Sequence, residues 1–260
     1  MIIAVAGLPG AGKTTWIRQQ LAVANQPVLY FSPGSQPVPI DITGITVEFP
    51  QVTLLKEGDE YRLLDLARLE CLAYIELGFH LDLESLEPLL SALDHLCYRR
   101  VAVMPPNVQD TGWHVWADQV VPGVTIATPE GNPELWRAPI SGQVLDPASL
   151  DVFWAELTQG AYGNVNRAKG IFDLADGRAF YFDFVAGINS TYTELALPRW
   201  LEGRPQRFSG IEVVGVALDK SAIAQTLKDC CLSDVAVHHY QQQIKESLAI
   251  LDPEEEEEEA

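Results

Sequence analysis

Hydrophobic and polar positions give the two halves of the chain different textures. In the first half, short unbroken apolar runs alternate with amphipathic stretches. Met1-Ile2-Ile3-Ala4-Val5-Ala6 suits a buried parallel strand, and Trp16, Ile17 and Leu21 share one broad face of a helix predicted from about Lys13 to Ala24. Pro27 to Phe31 reads as a second strand, stopped by Ser32-Pro33-Gly34, and Gln36 to Asp41 as a Pro-rich loop. Ile45 to Phe49 predicts a short third strand. Two helices are then expected: Tyr61 to Leu77, dense in Leu and Ala, and Leu83 to Cys97, with Leu83, Leu86, Leu90, Leu93 and Cys97 along one stripe. Val101 to Met104, ended by Pro105-Pro106, and Val124 to Ala127 complete the strands. Strands alternating with helices imply a parallel sheet with crossover connections, so residues 1–128 are expected to form an α/β domain.

Pro129 to Pro147 carries enough proline and glycine to suggest a linker, and Asp146-Pro147 then provides an N-cap with proline at the first helical position. Leu150, Phe153, Trp154 and Leu157 give that helix its apolar face, and Gly160 its stop, so 129–159 reads as linker and connecting helix. A different texture begins beyond it. Gly170 to Ala175 and Ala179 to Phe184 flank Asp176-Gly177, a strong hairpin signal. Thr191 to Leu197 and Ile211 to Ala217 read as further strands, and Asp219 caps a helix bearing Ile223, Leu227, Cys230 and Cys231. Residues 160–232 are therefore expected to form a small α+β domain on an antiparallel sheet. In 233–260, Ser233 to Leu251 spaces Val237, Tyr240, Ile244, Leu248 and Leu251 as an amphipathic helix, followed by a solvated acidic tail.

At 260 residues and 47% apolar content, the chain can bury full cores in one or two domains. Its net charge is −19, of which the run Glu254 to Glu259 supplies six, leaving −13 elsewhere. With no basic cluster to offset that field, nucleic acid and anionic membranes are not expected partners. The amino terminus lacks a basic region ahead of its apolar run, and no apolar stretch approaches the roughly 20 residues of a membrane span, so a cytoplasmic protein is expected. Cys71, Cys97, Cys230 and Cys231 form no C-x-x-C pair and read as free thiols.

The candidate chemistry lies between the first strand and the first helix. Gly7-Leu8-Pro9-Gly10-Ala11-Gly12-Lys13-Thr14-Thr15 fits the phosphate-binding pattern G-x-x-x-x-G-K-[ST] without mismatch, in the strand–turn–helix setting the pattern requires. Glycines let backbone N–H groups curl around phosphate oxygens, and the following helix adds the partial positive charge of its N-terminus. Lys13 is expected to reach the β- and γ-phosphates, and the Thr14 hydroxyl to take one position on Mg²⁺. Arg167 and Lys169, at a strand start, are either surface strand-edge charges or cations facing the nucleotide across the domain interface. His238-His239, about 100° apart on a helix, reads as a solvated pair rather than a metal site. The tryptophans at 113, 116, 136 and 154 are expected to cement the two domains together.

Asn166-Arg167-Ala168-Lys169-Gly170-Ile171, the Asp-Gly hairpin, and Ile211 to Lys220 leading into a helix that ends Cys230-Cys231-Leu232 together resemble the C-terminal domain of CobW-type proteins. In that family the domain follows a phosphate-loop GTPase domain whose loop is similar to Gly7 to Thr15. The resemblance implies binding of GTP (or ATP) with Mg²⁺, slow hydrolysis, and delivery of a metal such as zinc or cobalt to a client protein. The family's C-x-C-C metal motif has no counterpart here. Its carboxylate-ending strand is matched with Val101 to Met104, which ends in methionine, so the Mg²⁺ carboxylate is sought at Asp41, Glu48 or Asp110. The guanine-reading Asn-Lys-x-Asp signature finds only Asn107-Val108-Gln109-Asp110, making Asn107 and Asp110 the candidate base-reading residues. A slow GTPase tied to metal homeostasis, a hydrolysis-deficient regulator or scaffold, and a small-molecule kinase all remain open.

Overall fold

An apolar run with no polar alternation is stable only where both of its faces are covered, and β1 (Ile2–Ala6) and β4 (Leu72–Glu76) are buried along their whole length. The computed structural model describes residues 1–58, 65, 71–81, 91, 98–127 and 131–251. With β2 (Val28–Phe31), β3 (Thr53–Leu55), β5 (Arg99–Met104) and β6 (Gln119–Pro122), these strands make a parallel sheet in the order β3-β2-β4-β1-β5-β6. One face packs Ile3, Val5 and Tyr30 against Ile17 and Leu21 of α1 (Lys13–Ala22) and Ile45 of α2 (Ile40–Glu48). The other places Ala6, Phe31 and Ile75 against Trp113 and Trp116 of the short α3 (Gly112–Trp116). Because every strand points the same way, the loops after β1, β2 and β4 emerge at one edge. That edge is where α/β sheets hold ligands.

The second sheet is antiparallel, in the order β10-β9-β8-β11-β7, formed by β7 (Glu134–Pro139), β8 (Asn164–Asp173), β9 (Ala179–Val185), β10 (Thr191–Glu194) and β11 (Gly210–Val216). Side chains alternate across it. Ala168, Phe172, Phe182, Ile211 and Val213 point to a core covered by Phe153, Trp154 and Leu157 of α4 (Pro147–Thr158) and Ile223 and Leu227 of α5 (Lys220–Asp229). Trp154, Phe172 and Phe182 meet edge to face, with centroids 5.2–6.1 Å apart. The opposite face is charged: the register places Asp183 beside Lys169, Lys169 beside Glu212, and Glu212 beside Arg137, one row of alternating sign across four strands. This row does not face water. It faces the first domain, where Val38 and Ile40 pack on Ile171 and Tyr181. The last helix, α6 (Asp234–Leu251), seats Val237 beside Val144 and Ala175.

Several expectations are corrected. Ile45 to Glu48 is helical and Phe49 is the C-cap: the Thr43 and Thr46 hydroxyls donate to the carbonyls of Pro39 and Ile42 four residues back, and burial of Ile40, Gly44 and Ile45 on one face overrides the β-branched preference. The end of the expected helix Tyr61 to Leu77 is the central strand β4, and much of its earlier part lies outside the described residues, as do nearly all of Leu83 to Cys97 and the run Glu254 to Glu259. The sixth strand comes at Gln119 to Pro122, ahead of Val124 to Ala127. The stretch expected as linker contains β7, which pairs with β11, so the second sheet begins at Glu134. The tryptophans do not join the domains: Trp113 and Trp116 pack on the parallel sheet, Trp136 and Trp154 in the second core. Among the described residues no helix is long and apolar enough to cross a membrane.

Candidate functional site

The loop after β1 has the backbone that its glycines foretell. Gly7, Gly10 and Gly12 all have positive φ, at 144°, 77° and 98°. At Gly7 a Cβ would lie 2.2 Å from the Val103 carbonyl oxygen of neighbouring β5, a backbone atom that cannot swing aside. Gly7→Ala is therefore expected to destabilise the chain by about 2–3 kcal/mol, from strain plus the clash, which a shifted midpoint in urea unfolding would register. Gly12 is the N-cap of α1 and offers no side-chain cap, and the first turn holds no acidic residue, so the opening N–H groups of the helix have no side-chain acceptor. Ala11 is buried beneath the loop, and its carbonyl accepts from Val124 N at 3.0 Å, tying the loop to the segment after β6.

Lys13 is the next element of the site. Its Nζ donates to the carbonyls of Gly7 at 3.0 Å and Leu8 at 3.1 Å, and among the described residues it forms no ion pair. Burial lowers its pKa from the ordinary lysine value, opposed by the nearby Glu76 charge and reinforced by Lys169. A half-buried cation bonded only to carbonyls calls for an anion that its own loop does not supply.

Thr14 supplies the third. Its hydroxyl donates to Glu76 Oε1 at 2.7 Å, while the Tyr30 hydroxyl donates to Glu76 Oε2 at 2.8 Å. Glu76 is the last residue of β4, so strand direction delivers its carboxylate to the loop edge. Burial raises its pKa, and Asp41 adds to the rise, while Lys13, Lys169 and the Thr14 hydrogen bond oppose it. A hydroxyl and a carboxylate side by side at a phosphate-binding loop are the pair of protein oxygens that Mg²⁺ takes in such sites. Both are hard oxygen donors, so this pair fits a hard cation shared with phosphate.

A cavity of about 240 Å³ lies over these groups, lined from the first domain by Pro9 to Thr15 except Ala11, and by Asp41 and Glu76, and from the second by Arg137, Arg167, Lys169, Asp183 and Glu212. Its size, below the ~300–1,000 Å³ of typical small-molecule sites, suits a polyphosphate better than a whole nucleotide. Gly10 lies directly under the second domain: a Cβ there would meet Val185 at 2.9 Å and the Arg167 side chain at 3.6 Å. The Arg167 guanidinium pairs with both Asp183 oxygens and donates to the carbonyls of Ala168 and Phe184, which keep it charged despite burial. Lys169 Nζ bonds Asp41 Oδ2 and lies 3.1 Å from Glu212 Oε1; Glu212 in turn pairs with Arg137 at 2.6 Å. Burial alone would raise the Asp41 pKa, but Lys169 and Arg167 outweigh it and hold the carboxyl below its ordinary range.

Of the residues that sequence reading singled out, Pro9, Gly10, Gly12 to Thr15, Arg167, Lys169 and Asp41 line the cavity, while Gly7 and Leu8 hold Lys13 through their carbonyls. Arg167 and Lys169 are cavity cations, not surface charges. Asp41 contacts Lys169 rather than Thr14, and Glu48 pairs with Arg18 at 3.1 Å. The carboxylate beside Thr14 is Glu76, from a strand not recognised as one. Asn107 and Asp110 do not line the cavity: Asn107 Nδ2 donates to the Ile126 carbonyl at 3.0 Å, and Asp110 has φ 55°. Cys230 is buried, its thiol donates to the Thr226 carbonyl, and burial pushes its pKa up to about 11, which suits a core thiol.

Comparison with known proteins bears on the second domain. No curated protein matches the chain. Among solved structures, the chain is similar to Zn(II)-bound YjiA GTPase from E. coli at 12% identity, covering 88% of this chain and 98% of that one with a TM-score of 0.33. It is also similar to a uroporphyrin-III-C-methyltransferase from Thermus thermophilus at 13% identity, covering 90% and 97% with a TM-score of 0.26. Both are loose likenesses. The model of the cobalamin synthesis protein cobW C-terminal domain matches residues 140–231, the antiparallel sheet from the end of β7 through α5. Residues 140–231 thus match the CobW C-terminal domain, about a third of the chain.

Proposed function

We propose that the chain binds a purine nucleoside triphosphate with Mg²⁺, seating its phosphates in the cavity between the domains, and hydrolyses it slowly, with GTP as the substrate the CobW type leads one to expect. The observation that carries this reading is the Thr14–Glu76 contact at 2.7 Å next to a half-buried Lys13 that bonds only carbonyls. Gly7 to Thr15 wrap the phosphates with backbone N–H groups, and Lys13 neutralises the β- and γ-oxygens. Thr14 and Glu76 would hold Mg²⁺, which when bound offsets charge on the phosphates. Val185 and Arg167 roof the loop and limit the access of water.

Slow turnover follows from the remaining carboxylates. Asp183 and Glu212 are each paired with a cation within the second sheet, and Glu76 accepts from Thr14 and Tyr30, so none of these three carboxylates is placed to orient an attacking water. The same observation favours a second reading, a nucleotide-binding regulator or scaffold that does not hydrolyse. Single-turnover release of labelled phosphate from GTP and from ATP, each with Mg²⁺, separates the two. Release above that of a Lys13→Ala control supports the enzyme; release equal to that control, with nucleotide still bound by wild type, supports the regulator. Competition between GTP and ATP tests base preference, and equal displacement would remove a role for Asn107 and Asp110 in reading guanine. Delivery of zinc or cobalt to a metal-requiring client is supported only by the kinship of the second domain. A tighter zinc affinity with triphosphate than with diphosphate would speak for it.

A further inference from the structure

We infer that Lys169 is a phosphate ligand supplied by the second domain, and that Asp41 is an internal anion occupying its place until a triphosphate arrives. The inference rests on the nucleotide reading of the loop. Asp41 stands in the first turn of α2, which belongs to the parallel-sheet domain, whereas Lys169 projects from the middle of β8 in the other domain. Their side chains meet in the same cavity that Lys13 and Thr14 line, and only 13% and 15% of those side chains is exposed. An ion pair so buried persists because each charge would be costly alone. Lys169 can exchange one anion for another but cannot readily be left without one.

The surroundings favour exchange over a fixed staple. An ammonium has three donors, of which Asp41 takes one while Glu212 lies 3.1 Å away as an ion-pair partner, so a phosphate oxygen can first engage a remaining donor and then replace Asp41. Glu212 is held to Arg137 at 2.6 Å within its own sheet and stays with Lys169 throughout. Asp41 is the partner from the opposite domain, and it is a like charge to the incoming ligand. Its carboxylate in a cavity already holding Glu76 repels polyphosphate, and that repulsion ends when α2 carries it away. Binding of the terminal phosphate is thereby coupled to release of one contact between α2 and the second domain. The diphosphate lacks the group that reaches Lys169 and leaves the pair intact.

The test is the ratio of triphosphate to diphosphate affinity, measured by titration calorimetry with GTP and GDP plus Mg²⁺ on wild type, Asp41→Asn and Lys169→Met. Thermal unfolding of each variant is recorded in parallel. Exchange predicts opposite shifts: Asp41→Asn tightens triphosphate about fivefold or more, Lys169→Met weakens it about tenfold or more, and each leaves diphosphate within about twofold. Lys169→Arg restores the selectivity that Lys169→Met removes. A staple predicts lowered unfolding temperature in both variants with no change in the ratio, and that result overturns the inference while leaving the nucleotide site standing. If Lys169→Met does not fold, Asp41→Asn alone decides, because an unchanged or lowered ratio in it is incompatible with exchange. Wild type that binds neither nucleotide overturns both the inference and the reading beneath it.

Discussion

Lys13→Ala is expected to lower single-turnover hydrolysis by about 10²–10³-fold and to weaken triphosphate binding by about 10-fold or more, the loss of one charged donor at the reacting phosphate. The side chain is half-buried and bonds only the carbonyls of Gly7 and Leu8, so alanine leaves no unpaired charge behind and folding should survive. Protonation gives the prediction a second signature. Burial holds the folded-state pKa of Lys13 below the usual 10.5, so the free protein binds fewer protons there than the unfolded chain, and the Lys13 contribution to stability improves as pH rises through that lowered value. Triphosphate binding needs the ammonium and runs the other way, weakening over the same window. Affinity measured from neutral to alkaline pH should decline in wild type before the ordinary lysine range, and the decline should be absent in Lys13→Ala.

Glu76→Gln is expected to cut Mg²⁺-dependent hydrolysis by about 10²-fold while leaving metal-free triphosphate binding unchanged or slightly tighter. The amide keeps the shape of the carboxylate and an acceptor for Thr14 or Tyr30, but it removes the charge that would hold Mg²⁺ and one negative charge facing the phosphates. A residue needed only for packing would not split the two measurements in that way. Burial raises the Glu76 pKa above its ordinary 4.5, and Asp41 reinforces the rise. The ionised form is the one that binds metal, so the Mg²⁺ effect should fade as pH drops through that raised value, and Glu76→Gln should lack the transition. A pH profile of hydrolysis at saturating and at limiting Mg²⁺ measures it.

The parts of this molecule that could be read from residue order are those where local chemistry decides the backbone. Gly7 and Gly12 need positive φ, Gly177 closes a hairpin, and Asp146 and Asp219 cap helices through Ser149 N and Ala222 N, all as their spacing suggests. What escaped is set by tertiary context. Leu72 to Glu76 is apolar on both faces because neighbours cover both, and such a run carries no period to tell strand from helix. Missing that strand hid Glu76, although the carboxylate ends an apolar run in the manner the chemistry requires. Ile45 to Phe49 has a β-branched composition but a helical burial pattern, imposed by the sheet beneath it. β7 is an edge strand, where Pro139 is tolerated, so its composition passed for linker.

The charged row on the second sheet illustrates the same limit. Alternation alone marks Arg167, Lys169, Asp183 and Glu212 as the polar side of half-buried strands, and polar sides usually meet water. Here they meet another domain. The packing of Val38 and Ile40 on Ile171 and Tyr181, with the Lys169–Asp41 pair beside it, turns that face inward and makes its charges part of a site.

Titration calorimetry of the intact chain with GTP and ATP, each with Mg²⁺, alongside Lys13→Ala, tests the central claim most directly. The account predicts saturable heat for at least one triphosphate in wild type and its loss in the variant. Heat absent for both nucleotides in wild type, or undiminished in Lys13→Ala, would contradict it.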